Sequence, residues 1–148
     1  MTDLTGCPTV NYEFKKESVK KIIENGELFK ELQRCDDEGY LLSGSTPRRE
    51  IFVRMGGRPS KIGLVPGHAY SIIQVKEAKG FQLLNIRNPW GDFEWRGDWS
   101  DNSPLWTEDM IDIFEPVLDG DDGTFWMSFP DFIKNFRSIT ICKLKNWQ

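Results

Sequence analysis

Val19, Ile22 and Ile23 recur at i, i+3 and i+4 with Lys and Glu between them. That spacing predicts an amphipathic helix within residues 15–34. Gly26 interrupts the stripe, and Leu28, Phe29 and Leu32 begin another, so two short helices meeting at Asn25-Gly26 fit better than one long one. Asp36-Asp37-Glu38-Gly39 reads as a turn and Tyr40–Ser43 as a strand. Residues 44–66 carry Gly, Pro and the basic run Arg48, Arg49, Arg54, Arg58 and Lys61. They read as a long, partly mobile loop, first of all a solvated one with scattered charge. Contact with an acidic partner or lipid headgroups, or gating of a neighbouring cleft, are the alternatives. The pattern then predicts a hairpin, with Ala69–Val75 as one strand, Lys79-Gly80 as the turn and Phe81–Asn88 as the partner strand, ended by Pro89. Asp109–Phe114 fits a short helix or an irregular segment, and 119–123 an acidic turn. Thr124–Phe129 reads as a strand, Pro130–Phe136 as a helix opened by its proline, and Ser138–Leu144 as a last strand. Helices dominate the first half and strands the second, which is an α+β layout with an antiparallel sheet and a helical N-terminal part.

Composition narrows the function class. The chain has 148 residues, 39% of them hydrophobic and 13% aromatic. One domain with a real core is expected rather than a disordered chain. The formal charge is −4 without a basic stripe, which argues against nucleic-acid binding. Cys7, Cys35 and Cys142 are far apart and odd in number, with no CxxC or Cys/His cluster, so zinc is not expected. Three reduced thiols in a cytoplasmic protein are the expectation. The N-terminal residues lack the pattern of a signal peptide, and no stretch is apolar enough to span a bilayer.

The chemistry centres on His68, the only histidine, in Gly67-His68-Ala69-Tyr70-Ser71. Twenty residues later comes Arg87-Asn88-Pro89-Trp90-Gly91. A hairpin can set His68 beside Asn88. An imidazole that takes a thiol proton and keeps its other N–H on a carboxamide oxygen is the base and orienter of a cysteine nucleophile. A glycine at 67 lets a substrate backbone approach closely. Read from spacing alone, a His plus an Asn is a weak signal, and an ordinary partly buried histidine with a strand-ending asparagine fits better.

The wording around the pair is more specific. Gly67-His68-Ala69-Tyr70-Ser71, Arg87-Asn88-Pro89-Trp90-Gly91, Glu94-Trp95, Trp99-Ser100-Asp101, Asp122-Gly123, Phe125-Trp126-Met127-Ser128 and Asp131-Phe132 resemble the calpain cysteine proteases, as does Asp3-Leu4-Thr5-Gly6. The blocks follow the family's order and cover nearly the whole chain. The resemblance implies a papain-like fold, with residues 1–148 forming the second subdomain of the calpain catalytic core, the one carrying histidine and asparagine. It implies that His68 is the catalytic base, that Asn88 orients it and that Trp90 covers their hydrogen bond, with Gly67 in support. The family's nucleophile lies upstream in a segment reading roughly Gly-Asp-Cys-Trp-Phe, and no such segment occurs here. The upstream oxyanion-hole glutamine is missing with it. Cys7 stands where the family usually has a glycine, so no nucleophile is assigned in this chain. The expected partners are an N-terminal subdomain bearing that cysteine, and protein substrates. The chain alone is expected to be inactive.

Calpains also bind calcium in this subdomain, at positions matching Glu94, Asp101, the Gly120 carbonyl and Asp122. A further family glutamate is Thr124 here, which removes a carboxylate from the set. Two other readings stand beside the protease. One is a non-catalytic calpain homologue acting as a regulatory or interaction module. The other is a small binding domain using its clustered tryptophans.

Overall fold

The structure is a computed structural model that describes residues 8–48, 64, 66–88, 95–101, 103–116 and 123–145. Cys7, residues 49–63 of the basic loop, Trp90, Glu94 and the acidic turn 119–122 with Gly120 and Asp122 lie outside the described residues. Ten elements are described. The strands are β1 (Thr9–Glu13), β2 (Tyr40–Ser45), β3 (Ala69–Ala78), β4 (Phe81–Arg87), β5 (Thr124–Ser128) and β6 (Ser138–Lys145). The helices are α1 (Glu17–Glu24), α2 (Glu27–Asp37), α3 (Glu108–Phe114) and α4 (Phe129–Asn135). The six strands form one antiparallel sheet in the order β1-β6-β2-β3-β4-β5. The α+β expectation is met.

Two adjacent cross-strand rows explain the sheet. Val10, Ile141, Leu42, Ile72, Ile86 and Phe125 are register partners in turn across all six strands. One residue along each strand, the partners are Asn11, Thr140, Ser43, Ser71, Arg87 and Thr124. Side chains alternate faces along a strand, so the apolar row falls on one face and the polar row on the other. The apolar face is covered by Val19 of α1, by Leu28, Phe29 and Leu32 of α2, and by Phe129 and Phe132 of α4. At the β4–β5 end the second face is covered too. There Leu83 and Trp126 pack with Trp99, Trp106 and the α3 residues Met110 and Phe114. Lys76 of β3 ties α3 down by donating its ammonium to the Ile113 carbonyl at the helix C-terminal end, where the dipole favours a cation.

Local chemistry sets the element ends. Gly26, at φ 83°, separates α1 from α2. The Thr107 hydroxyl accepts from Met110 N–H to cap α3, and the Ser128 hydroxyl accepts from Asp131 N–H to cap α4. Lys79 and Gly80 have φ of 55° and 81°, the pair of left-handed residues that a two-residue hairpin turn needs. Several boundaries differ from the sequence reading. Asp36 and Asp37 end α2 rather than a turn, β3 runs on to Ala78, Phe129 opens α4, and the edge strand β1 was not expected. Gly44 and Ser45, expected in the loop, complete β2. Gly44 fits there because it meets the rings of Phe132 and Phe136, which a Cβ would approach to 2.9 Å and 3.0 Å. Cys35 is buried and free, and burial pushes its thiol up, away from reactivity. Cys142 is disulfide-bonded, so the expectation of three reduced thiols is corrected at that position.

Candidate active site

His68 directly precedes β3 and Asn88 directly follows β4, so both stand at the open end of one hairpin. The hairpin register is not simple. A β-bulge lies between Ile72 and Gln74, and beyond it Ser71 pairs with Arg87 and Ile72 with Ile86. The extra residue slides β3 along β4 by one position just before the site, as bulges near functional residues do. The result is that His68 Nε2 and Asn88 Oδ1 are 3.1 Å apart. A carboxamide oxygen only accepts, so the Nε2–H tautomer is assigned and Nε2 donates. Nδ1 is then the ring atom that would accept a thiol proton.

Each partner is held on its own side. Asn88 is fully buried, and its backbone N–H donates to the Gly123 carbonyl at 3.0 Å. Gly123 has φ 79°, a conformation that favours glycine. His68 is half-buried and is bracketed by Thr46. The Thr46 hydroxyl accepts from His68 N–H at 2.9 Å and donates to the His68 carbonyl at 3.2 Å, while Thr46 N–H donates to that carbonyl at 3.0 Å. Gly67, at φ 63°, donates its N–H to the Pro47 carbonyl at 2.7 Å. The imidazole stands edge-on to Tyr70, centroids 5.0 Å apart at 88°. Tyr70 is itself locked by edge contacts with Phe125 and Phe136. The ring is thus held by its Nε2 bond and its edge contact with Tyr70, and its backbone by Thr46, the kind of preorganisation a positioned base needs.

Beside the ring lies a cleft of about 500 Å³, whose lining includes Thr46, Gly67, His68 and Ser138. Sequence reasoning named His68, Asn88 and Gly67, and the structure brings all three together. Thr46, Tyr70 and Gly123 were not named as part of the site. Thr46 is 22 residues from His68 in sequence and no local pattern marks it.

The expected calcium ligands are only partly described. Asp101 follows a turn pinned by Trp106, whose Nε1–H donates to the Trp99 and Ser100 carbonyls at 3.1 Å and 3.0 Å. Thr124 opens β5. Among the described residues, no group of three or more His, Cys, Asp or Glu side chains could hold a metal ion. Among those residues, too, no helix is long and apolar enough to cross a membrane.

Comparison with known proteins gives a consistent result. The sequence profile described as calpain family cysteine protease matches residues 1–143. The chain is 38% identical over 146 residues to the calpain-type cysteine protease DEK1 of Arabidopsis thaliana, covering 97% of this chain and 6% of that protein. It is 44% identical over 149 residues to the calpain-1 catalytic subunit of Rattus norvegicus, covering 96% of this chain and 19% of that one. The calpain-2 catalytic subunit of Homo sapiens is 36% identical over 150 residues, with 96% of this chain and 20% of that protein covered. The chain thus spans a fifth or less of the length of these relatives.

Proposed function

Because this chain belongs to the calpain family of cysteine proteases, we propose that it supplies the catalytic base and its orienter to a calpain-type cysteine endopeptidase. In this reading the chain is the second subdomain of the catalytic core, and the nucleophilic thiol comes from an N-terminal subdomain. The observation that carries it is the 3.1 Å contact between His68 Nε2 and Asn88 Oδ1.

The steps assigned to this chain follow from that contact. Asn88 accepts the Nε2 proton and fixes the ring. Nδ1 then takes the proton of an incoming thiol, and the imidazolium formed stabilises the thiolate beside it. After the thiolate attacks the peptide carbonyl, the same imidazolium gives its proton to the leaving amine. Trp90, outside the described residues, keeps its role of covering the His68–Asn88 bond as part of this proposal. Protein substrates and a cytoplasmic location belong to it as well. Subcellular fractionation tests the location.

Calcium is proposed as a ligand of Asp101 together with Glu94, the Gly120 carbonyl and Asp122. The hydroxyl of Thr124 stands where a carboxylate would strengthen the set. Calorimetric titration of the chain with millimolar calcium tests this, and the absence of both heat and thermal shift removes it.

The central test is reconstitution. The chain alone is expected to leave casein and fluorogenic peptides intact. Joined to a subdomain bearing the Gly-Asp-Cys-Trp segment, it is expected to cleave them, with loss of activity in His68→Ala. Turnover by the isolated chain that survives Cys7→Ser refutes the assignment.

A further inference from the structure

Two arginines mark where the cleft beside His68 meets a second pocket. The cleft and a neighbouring cavity of about 510 Å³ have Arg48 and Arg137 as their common lining residues. A backbone bond of Arg137, and one of Pro47 next to Arg48, hold the two arginines against the wall that carries the histidine. Arg137 N–H donates to the Ser45 carbonyl at 2.8 Å. Arg48 follows Pro47, whose carbonyl holds Gly67, and its Cα lies 3.8 Å from where a Gly67 Cβ would stand. The second cavity has an apolar floor that includes Phe14, Ile23, Ile133 and Phe136.

The charges at this junction do not balance. No Asp or Glu is among the described residues lining the His68 cleft, and Arg48 and Arg137 are. The second cavity adds Lys15 and Lys20, against Glu13 and Glu24. Glu13 stands 3.6 Å from Arg137 and equally 3.6 Å from Lys16, so one carboxylate is shared by two cations. Arg48 makes no ion pair among the described residues. A guanidinium fork matches the two oxygens of a carboxylate, and two such forks flanking a groove select for one.

We propose that the cleft selects peptide segments carrying an acidic side chain. The carboxylate lies between Arg48 and Arg137 while the peptide backbone passes His68, and an adjoining apolar side chain enters the pocket floored by Phe14 and Phe136. This rests on the reading above that a protein substrate runs past His68, and it adds the chemical class of that substrate.

The test uses the 148-residue chain and two labelled peptides that differ only in Glu or Gln beside a leucine. Fluorescence anisotropy reads affinity, and the signals of the single histidine in NMR report whether the peptide lies at the cleft. The Glu peptide is expected to bind about tenfold more tightly than the Gln peptide, with the gap shrinking in high salt. Combined R48Q and R137Q substitution is expected to abolish the gap, with far-UV circular dichroism verifying the fold. Equal binding of the two peptides by the native chain overturns the proposal. So does a preference that survives both substitutions, or tight Glu-peptide binding that leaves the His68 signals unmoved. Cleavage by the reconstituted protease without any Glu-over-Gln difference defeats this inference alone. Absence of cleavage with the binding preference intact defeats only the protease reading.

Discussion

The backbone N–H of Asn88 donates to the carbonyl of Gly123 at 3.0 Å, while the side chain of the same asparagine receives the His68 imidazole at 3.1 Å. One residue thus joins the candidate catalytic base to Gly123, directly before β5. Gly123 makes this contact at φ 79°, in the left-handed region that favours glycine.

Gly123→Ala is therefore expected to lower stability by about 1–2 kcal/mol, the cost of a Cβ in the left-handed region. Hydrogen exchange at the Asn88 amide should accelerate more than at residues in the middle of β4. Unchanged exchange at Asn88 would show that the bond does not fix the site.

In the reconstituted protease, His68→Ala is expected to lower kcat by about 10²–10⁴-fold, the range for a positioned acid–base group. Asn88→Ala should lower kcat by less, with KM nearly constant and a changed pH profile, because it frees the ring rather than removing it. An Asn88→Ala enzyme with wild-type kcat and pH profile would disprove the orienting role.

Gly44→Ala would place a Cβ 2.9 Å from the Phe132 ring and 3.0 Å from Phe136. These rings are stacked on one another with centroids 4.4 Å apart and cannot both retreat. Overpacking of this kind costs about 1–3 kcal/mol. Thermal melting should show that loss, and Phe132→Leu in the same chain should recover part of it.

Asp36 lies in the last turn of α2, and its carboxylate accepts the Val75 N–H at 3.1 Å beside the β3 bulge. Burial raises its pKa, the Val75 bond lowers it and the neighbouring Asp37 charge raises it, with a net upward shift. A carboxyl raised above its unfolded value favours the fold when protonated. That contribution is complete below the unfolded pKa and is lost as pH rises through the folded one. Asp36→Asn keeps an oxygen for Val75 without the charge. Its melting temperature at pH 7 should exceed that of the parent chain, and the difference should narrow toward pH 3. A variant less stable than the parent at pH 7 contradicts this account.

The sequence alone determined what short-range periodicity and local chemistry can encode. The helical stripes on both sides of Asn25-Gly26, the Lys79-Gly80 hairpin, the helix around Pro130 (though Phe129 opens it) and the candidate pair His68 and Asn88 were all legible there. β1 was not, because five residues with two apolar positions give little signal, and the partners of Thr9–Glu13 lie in β6 at the other end of the chain. The bulge at Ile73 was equally hidden. It is visible only as a shift between two strands, and it sets which residue of β4 faces which residue of β3. Thr46 and Gly123 joined the site, and Arg137 came beside Arg48, through strand register and chain closure over long separations. Those are decided by how the whole sheet buries its apolar row, an energy summed over six strands that no local stretch of residues contains.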